Sequence, residues 1–170
     1  TAIAPAGQGI GVFARILAPQ SCARRPIAVS NQERNQPFIW RVRVYYEDTD
    51  AGGVVYHASY LRFMERARTE WLRGMGLEQE AVRATLQLGF IVRAAQLDYR
   101  RGARLDDLLE VSVAIARRGG ASLDFDQEVR RVLDGVLCCR GLIKIACVAS
   151  DSLRPKPLPP QLLAEIADVC

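Results

Sequence analysis

Residues 59–75 place Tyr60, Phe63, Met64, Ala67, Trp71 and Met75 at offsets of 0, 3, 4, 7, 11 and 15. At helical periodicity these side chains fall on one apolar stripe, and Arg62, Glu65, Arg66, Thr69 and Arg73 take the other side. The spacing predicts a long amphipathic helix, about 25 Å from Ser59 to Met75 at the usual rise per residue. Ser59 is the expected N-cap, and Gly74 with Gly76 brackets the end. A stripe this long is stable only when buried, so the rest of the chain must supply an apolar face for it.

That face is legible as strands. Phe38, Trp40, Val42, Val44 and Tyr46 alternate with Ile39, Arg41, Arg43 and Tyr45, which reads as a half-buried strand with Tyr46 continuing its core face. The segments 89–100 and 108–117 are β-rich, joined by the polar stretch Arg104-Leu105-Asp106-Asp107. Leu123, Phe125 and Val129 alternate with Asp124, Asp126, Glu128 and Arg130, and Asp134-Gly135 marks a hairpin turn into a return strand over 136–149. Residues 155–160 are proline-rich and lead into a short helix around 161–168. The order is one strand, one long helix, then four antiparallel strands. We expect an α+β fold in which a curved antiparallel sheet of five to six strands wraps one long central helix, the hotdog arrangement. The pattern by itself leaves other α+β folds open.

The first 36 residues differ. They mix Ala, Pro, Gly and Gln without useful periodicity, and their four arginines against Glu33 hold +3 of the chain's net +4. The expected organisation is therefore a flexible extension over 1–36 and one folded domain over 37–170. The apolar stretch 9–18 is broken by Arg15 and has no basic region before it, which argues against a secretion signal. The nearly neutral remainder argues against a nucleic-acid surface, and no apolar run is long enough to span a bilayer. Cys22, Cys138, Cys139, Cys147 and Cys170 are odd in number, with no C-x-x-C spacing. They read as small apolar residues of a reducing, cytoplasmic protein, with no disulfide framework or zinc site.

Chemistry concentrates between the first strand and the helix, in Glu47-Asp48-Thr49-Asp50-Ala51-Gly52-Gly53. A helix start offers free backbone N–H groups and the positive end of the helix dipole. Gly52 and Gly53 allow close approach to the backbone, and Asp50 adds a carboxylate within a few residues. Such a set suits attack on, or hydration of, a carbonyl whose oxyanion the backbone stabilises. Asp50 could equally be a turn former through its own side chain. Asp48 reads as a turn residue. His57, the sole histidine, suits either a helix-start hydrogen bond or the site. A metal hydrolase using Asp48, Asp50 and His57 is a weaker alternative, because no further His or Cys is suitably placed.

The run from Tyr45 through Glu65, with Asp48-Thr49-Asp50-Ala51-Gly52-Gly53-Val54-Val55-Tyr56-His57 at its centre, closely resembles the active-site segment of the Tol-Pal-associated acyl-CoA thioesterases (the YbgC type). These are relatives of 4-hydroxybenzoyl-CoA thioesterase with the hotdog fold. Arg66-Ala67-Arg68-Thr69-Glu70, Phe90-Ile91-Val92-Arg93, the turn over 103–107 and the tail Arg154-Pro155-Lys156-Pro157-Leu158 extend the match across roughly residues 38–165. The resemblance implies hydrolysis of acyl-CoA or acyl-carrier-protein thioesters, with Asp50 as nucleophile or general base. It also implies His57 at the oxyanion end of the helix and Tyr46 lining the site. Gly52, Gly53, Val54 and Tyr56 would contact substrate, and Arg117 and Arg118 would meet the CoA phosphates. No metal or other cofactor is implied. The expected assembly is a homodimer or homotetramer, cytoplasmic, with peripheral inner-membrane association compatible. The alternative is a non-enzymatic acyl-carrier-protein-binding scaffold in phospholipid synthesis or envelope maintenance.

Removing residues 1–36 should leave the circular dichroism spectrum and thioester turnover unchanged, since no periodic apolar pattern there asks to be buried. Aggregation of the truncated protein would show that the segment belongs to the fold.

Overall fold

The computed structural model describes residues 37–167. Strand β1 (Phe38–Arg43) is followed by a short 3-10 turn (Tyr46–Asp48) and the long helix α1 (His57–Gly74). Helix α2 (Gln79–Leu86), strands β2 (Leu88–Tyr99), β3 (Leu108–Arg118), β4 (Ser122–Arg131) and β5 (Leu137–Ala149), and helix α3 (Pro160–Ala167) complete the order. The five strands form one sheet in the order β1-β3-β4-β5-β2, every neighbouring pair antiparallel. This is the hotdog arrangement, with α1 laid along one face. Residues 1–36, the expected extension, lie outside the described residues.

Five of the six predicted stripe residues, Tyr60, Phe63, Met64, Ala67 and Trp71, are buried on α1 together with Leu72, whereas Met75 lies just past the helix end and is only partly buried against the core. Trp71 meets Phe125 of β4 edge-on with ring centroids 5.4 Å apart. Gly141 of β5 lies directly under Met64, where an added Cβ would come within 2.7 Å of the sulfur. Helix and sheet approach closely there because that residue has no side chain. Cys138, Cys139 and Cys147 are buried, and burial pushes their thiols up.

Four expectations need correction. The helix begins at His57, with Tyr56 at the cap position and Ser59 already inside the first turn, buried. It ends one residue early, and Gly76 takes the left-handed φ of 74° that turns the chain away. Helix α2 was not foreseen: it is two turns long and buries only Val82 fully, too little for a clear period. Strand β1 ends at Arg43, so Tyr46 does not continue a core face; it lies in the 3-10 turn and is 81% exposed.

The inward row of β4 contains a polar member. Leu123, Phe125 and Val129 share it with Gln127, which is fully buried. Its partner is Arg68 of α1, also buried, whose Nη1 donates to Gln127 Oε1 at 2.6 Å. Gln127 Nε2 in turn donates to the backbone oxygens of Met64 and Ser112, both at 3.2 Å. The pair stitches α1 to β3 and β4. On the opposite face of the sheet the alternating acids find partners: Glu110 with Arg41, Asp124 with Lys144, Asp126 with Arg140 and Glu128 with Arg130.

Gln127→Leu removes the acceptor of a buried cation and should lower unfolding free energy by about 3 kcal/mol, read from urea denaturation. The double change Arg68→Met/Gln127→Leu replaces both partners with apolar side chains and should recover most of that loss.

Candidate active site

The loop from Tyr45 to Tyr56 is held by its own polar groups. Asp48 N donates to Tyr45 O at 3.0 Å, and the Asp48 carboxylate accepts from Tyr45 N through Oδ2 at 3.0 Å. The Asp48 carbonyl accepts from Tyr56 N at 2.8 Å and from Ser59 Oγ at 3.2 Å. Asp48 therefore sits beneath the loop, 1% exposed, tying β1's exit to the first turn of α1. Among the described residues its Oδ1 has no hydrogen-bond donor, and the cation facing it is Arg62, with Nη2 4.0 Å away. Asp48 is thus a structural anchor of the site, as its place in the turn suggested.

Asp50 stands on the other side of that loop, exposed. Asp50 N donates to Val54 O and Gly53 N donates to Asp50 O, each at 3.0 Å, closing a tight turn in which Gly53 has φ of 71°. The Asp50 Oδ1 accepts from Gly52 N at 2.8 Å. A Cβ on Gly52 would lie 3.0 Å from that oxygen. The Asx-turn reading and the catalytic reading of Asp50 are therefore compatible. One carboxylate oxygen is held by the turn, and the other meets no donor among the described residues.

Asp50 opens into a cleft of about 300 Å³ shared with Val54, Val55, His57, Tyr60 and the segment Tyr99–Gly102. His57 is the first residue of α1, its ring 4.3 Å from that of Tyr56 and edge-on to Tyr99 at 6.5 Å. Among the described residues the N–H groups of His57 and Ala58 meet no acceptor, as the first turn of a helix with no side-chain cap requires. Asp50 and the first residue of α1 thus line one cleft.

The far wall was not foreseen from the sequence. Tyr60, counted there as a core residue, accepts from Ala103 N at 3.0 Å, and its hydroxyl lies 3.5 Å from Arg101 O. Burial pushes its phenol up to about 12, so it stays neutral and keeps its proton for that carbonyl. Val55 N donates to Ala103 O at 2.8 Å, and Gly102 lies against Val54, where a Cβ would come within 2.8 Å. Tyr99 Oη donates to His57 O at 3.1 Å. The available signal was Tyr99-Arg100-Arg101-Gly102 itself, a polar, glycine-bearing strand exit that only the sheet order brings beside the helix start.

Of the expected site residues, Asp50, His57 and Val54 line this cleft, with Gly52 and Gly53 in the turn beside Asp50. Tyr56 is adjacent through His57 but is not part of the lining. Tyr46 lies outside the cleft, exposed. Arg117 and Arg118 are at the opposite end of β3 from the Asp50 loop, about 30 Å along the strand. Arg118 borders a separate open hollow with Gly119, Gly120 and Leu163. Among the described residues no three of His, Cys, Asp and Glu converge as metal ligands. No helix there is long and apolar enough to cross a membrane.

Comparison with known proteins agrees with this architecture. A model of the thioesterase-like superfamily matches residues 44–166. The chain is 43% identical over 127 residues to the acyl-CoA thioesterase YbgC of Haemophilus influenzae, covering 75% of this chain and 92% of that protein. It is 45% identical over 128 residues to the acyl-CoA thioester hydrolase YbgC of Escherichia coli, covering 75% and 94%. Its structure is similar to that of a 1,4-dihydroxy-2-naphthoyl-CoA thioesterase from Synechocystis, with TM-score 0.73, 25% identity, and coverage of 78% of this chain and 97% of that one. Matched over most of its described length by the family model and by these relatives, the chain belongs to the thioesterase-like superfamily and is of the YbgC type.

Proposed function

We propose that this chain hydrolyses acyl-CoA thioesters to a free acid and a thiol, with Asp50 as the catalytic carboxylate. The observation that carries the reading is that Asp50 and His57, the first residue of α1, line one cleft walled by Tyr99–Gly102, with no acceptor among the described residues for the N–H groups that open the helix. A thioester carbonyl placed there has its oxygen toward the helix start, where backbone donors and the dipole stabilise the developing negative charge. Gly52 N holds Oδ1 of Asp50, so Oδ2 faces the carbon. Either Oδ2 attacks, expelling thiolate to leave an anhydride that water cleaves, or it takes a proton from a water that attacks instead. Both routes end in the same acid and thiol. His57 borders the oxyanion position, and an acyl-carrier-protein thioester could present the same bond. Neither route draws on a metal or redox group.

A single protomer leaves this site half-walled. Strand β2 is an edge, exposed over most of its length, and presents Ile91, Val92 and Tyr99 to solvent. An edge of this length and composition calls for a partner strand. Antiparallel pairing of β2 with its copy joins two sheets into one homodimer. It also turns the Arg117–Arg118 end of one protomer toward the Asp50 end of the other, which is how those arginines reach the CoA phosphates.

Asp50→Asn keeps the turn's size and its Gly52 contact but removes the basic oxygen, so turnover of an acyl-CoA should fall by at least about a hundredfold with the fold intact. Asp48→Asn should cost stability more than turnover, and His57→Ala should fall between the two aspartates, because backbone donors remain. Equal losses at Asp48 and Asp50 would remove Asp50 from its role. Light scattering should give the mass of two chains or a multiple of it. Val92→Lys, which puts a charge on the pairing edge, should yield monomer with little activity.

A further inference from the structure

A second cavity, about 80 Å³, lies between the C-terminal half of α1 and the sheet. Trp71, Leu72, Phe90, Phe125, Ile145 and Leu162 give it apolar walls. One cation shares those walls: Arg68, 7% exposed. A guanidinium carries five N–H donors, and here Gln127 Oε1 is the acceptor it meets among the described residues. No carboxylate there lies within ion-pair distance of it. Glu65 borders the same cavity, but its exposed carboxylate accepts from Thr69 Oγ1, which accepts from Gln79 Nε2. Burial pushes the Arg68 guanidinium down to about 10, which leaves it protonated at neutral pH. The cavity is therefore largely apolar, with a permanent cation that makes no ion pair among the described residues and is acted on by the Glu65 carboxylate only at longer range.

That combination fits poorly with a purely hydrocarbon occupant, which would seal the cation from water and give it no acceptor. It fits an occupant that is apolar along its length and anionic at its end. We propose that this cavity receives the distal end of the acyl group, and that Arg68 selects acyl chains ending in a carboxylate. This rests on the thioesterase reading and on the β2-paired dimer. Within one protomer the cavity is far from Asp50: Arg68 and Leu72 stand eleven and fifteen residues beyond His57 on α1, roughly 17–22 Å. Phe90, however, lies near the start of β2. Two-fold antiparallel pairing about the middle of that strand sets its start against the end of the partner's β2, which runs directly into the wall of the partner's Asp50 cleft. An acyl chain held at the partner's Asp50 thus points toward this protomer's Arg68. The substrate class is the monothioester of CoA with a dicarboxylic acid.

The test is kcat/KM over a length series of alkyl acyl-CoAs and their ω-carboxyl counterparts. At one chain length the ω-carboxyl substrate should exceed its alkyl match by about tenfold or more, the size of one charge-assisted hydrogen bond. In Arg68→Met/Gln127→Leu, with folding checked by circular dichroism, that ratio should invert. Arg68→Lys, which keeps the charge but not the fork, should retain part of the preference. Absence of any length at which the wild type favours the carboxylate overturns the inference, and so does a preference that survives in the double variant. Alkyl acyl-CoA turnover that is lost in Asp50→Asn marks the thioesterase reading as sound when the Arg68 assignment fails. Turnover of neither series overturns both.

Discussion

Burial of one side of α1 against five antiparallel strands is the constraint on which the rest depends. The six apolar positions of that side have no other shelter, and their burial stabilises the domain by about 1.5–3 kcal/mol for each large side chain. The sheet meets the helix with aromatic and aliphatic side chains at most positions, with no side chain at Gly141 and with a hydrogen-bonded amide at Gln127. The depth and rotation of the helix are consequently fixed together. Once they are, the position of its first turn relative to β1 and to the end of β2 is fixed as well.

The loop that carries Asp50 exploits that rigidity. A carboxylate on a surface turn would ordinarily be mobile, but this turn is hydrogen-bonded from three directions: Asp48 from below, Val54 across the turn, and Ala103 from the neighbouring strand exit. Tyr60 belongs to both systems. Its ring packs with Phe63 and Tyr99 while its hydroxyl holds the segment that walls the cleft. Core and site therefore share a residue, and a change there disturbs both.

Much of this was legible in the sequence because the two periods involved are strong. Offsets of three and four marked the buried side of α1; alternation located β1 and β4, and β-rich composition with the Asp134-Gly135 turn located the other three strands, all to within a few residues. The failures have local physical causes. Tyr46 stayed in the period-two register of β1, yet the carboxylate of Asp48 captures Tyr45 N and bends the chain before Tyr46 can face the core. Helix α2 is too short and too polar to announce itself. Arg68 and Gln127 stood at inward positions, but their residue types argued against burial; each is tolerable only because the other is opposite it, which no linear pattern displays. The same holds for Tyr99–Gly102, which becomes part of the site through strand order alone. The loop of Asp50 was legible because it is contiguous in sequence with the start of α1.

The outer face of the sheet has a consequence for crowding and assembly. Its four ion pairs are solvated, and each contributes little to the stability of the chain that carries it. Any body docking flat on that face must strip water from eight charged groups whose mutual attraction only partly compensates. The face therefore behaves as a hydrated shield. Contacts with other molecules are cheaper to form on the helix side or at the strand edges, where fewer charges lose water.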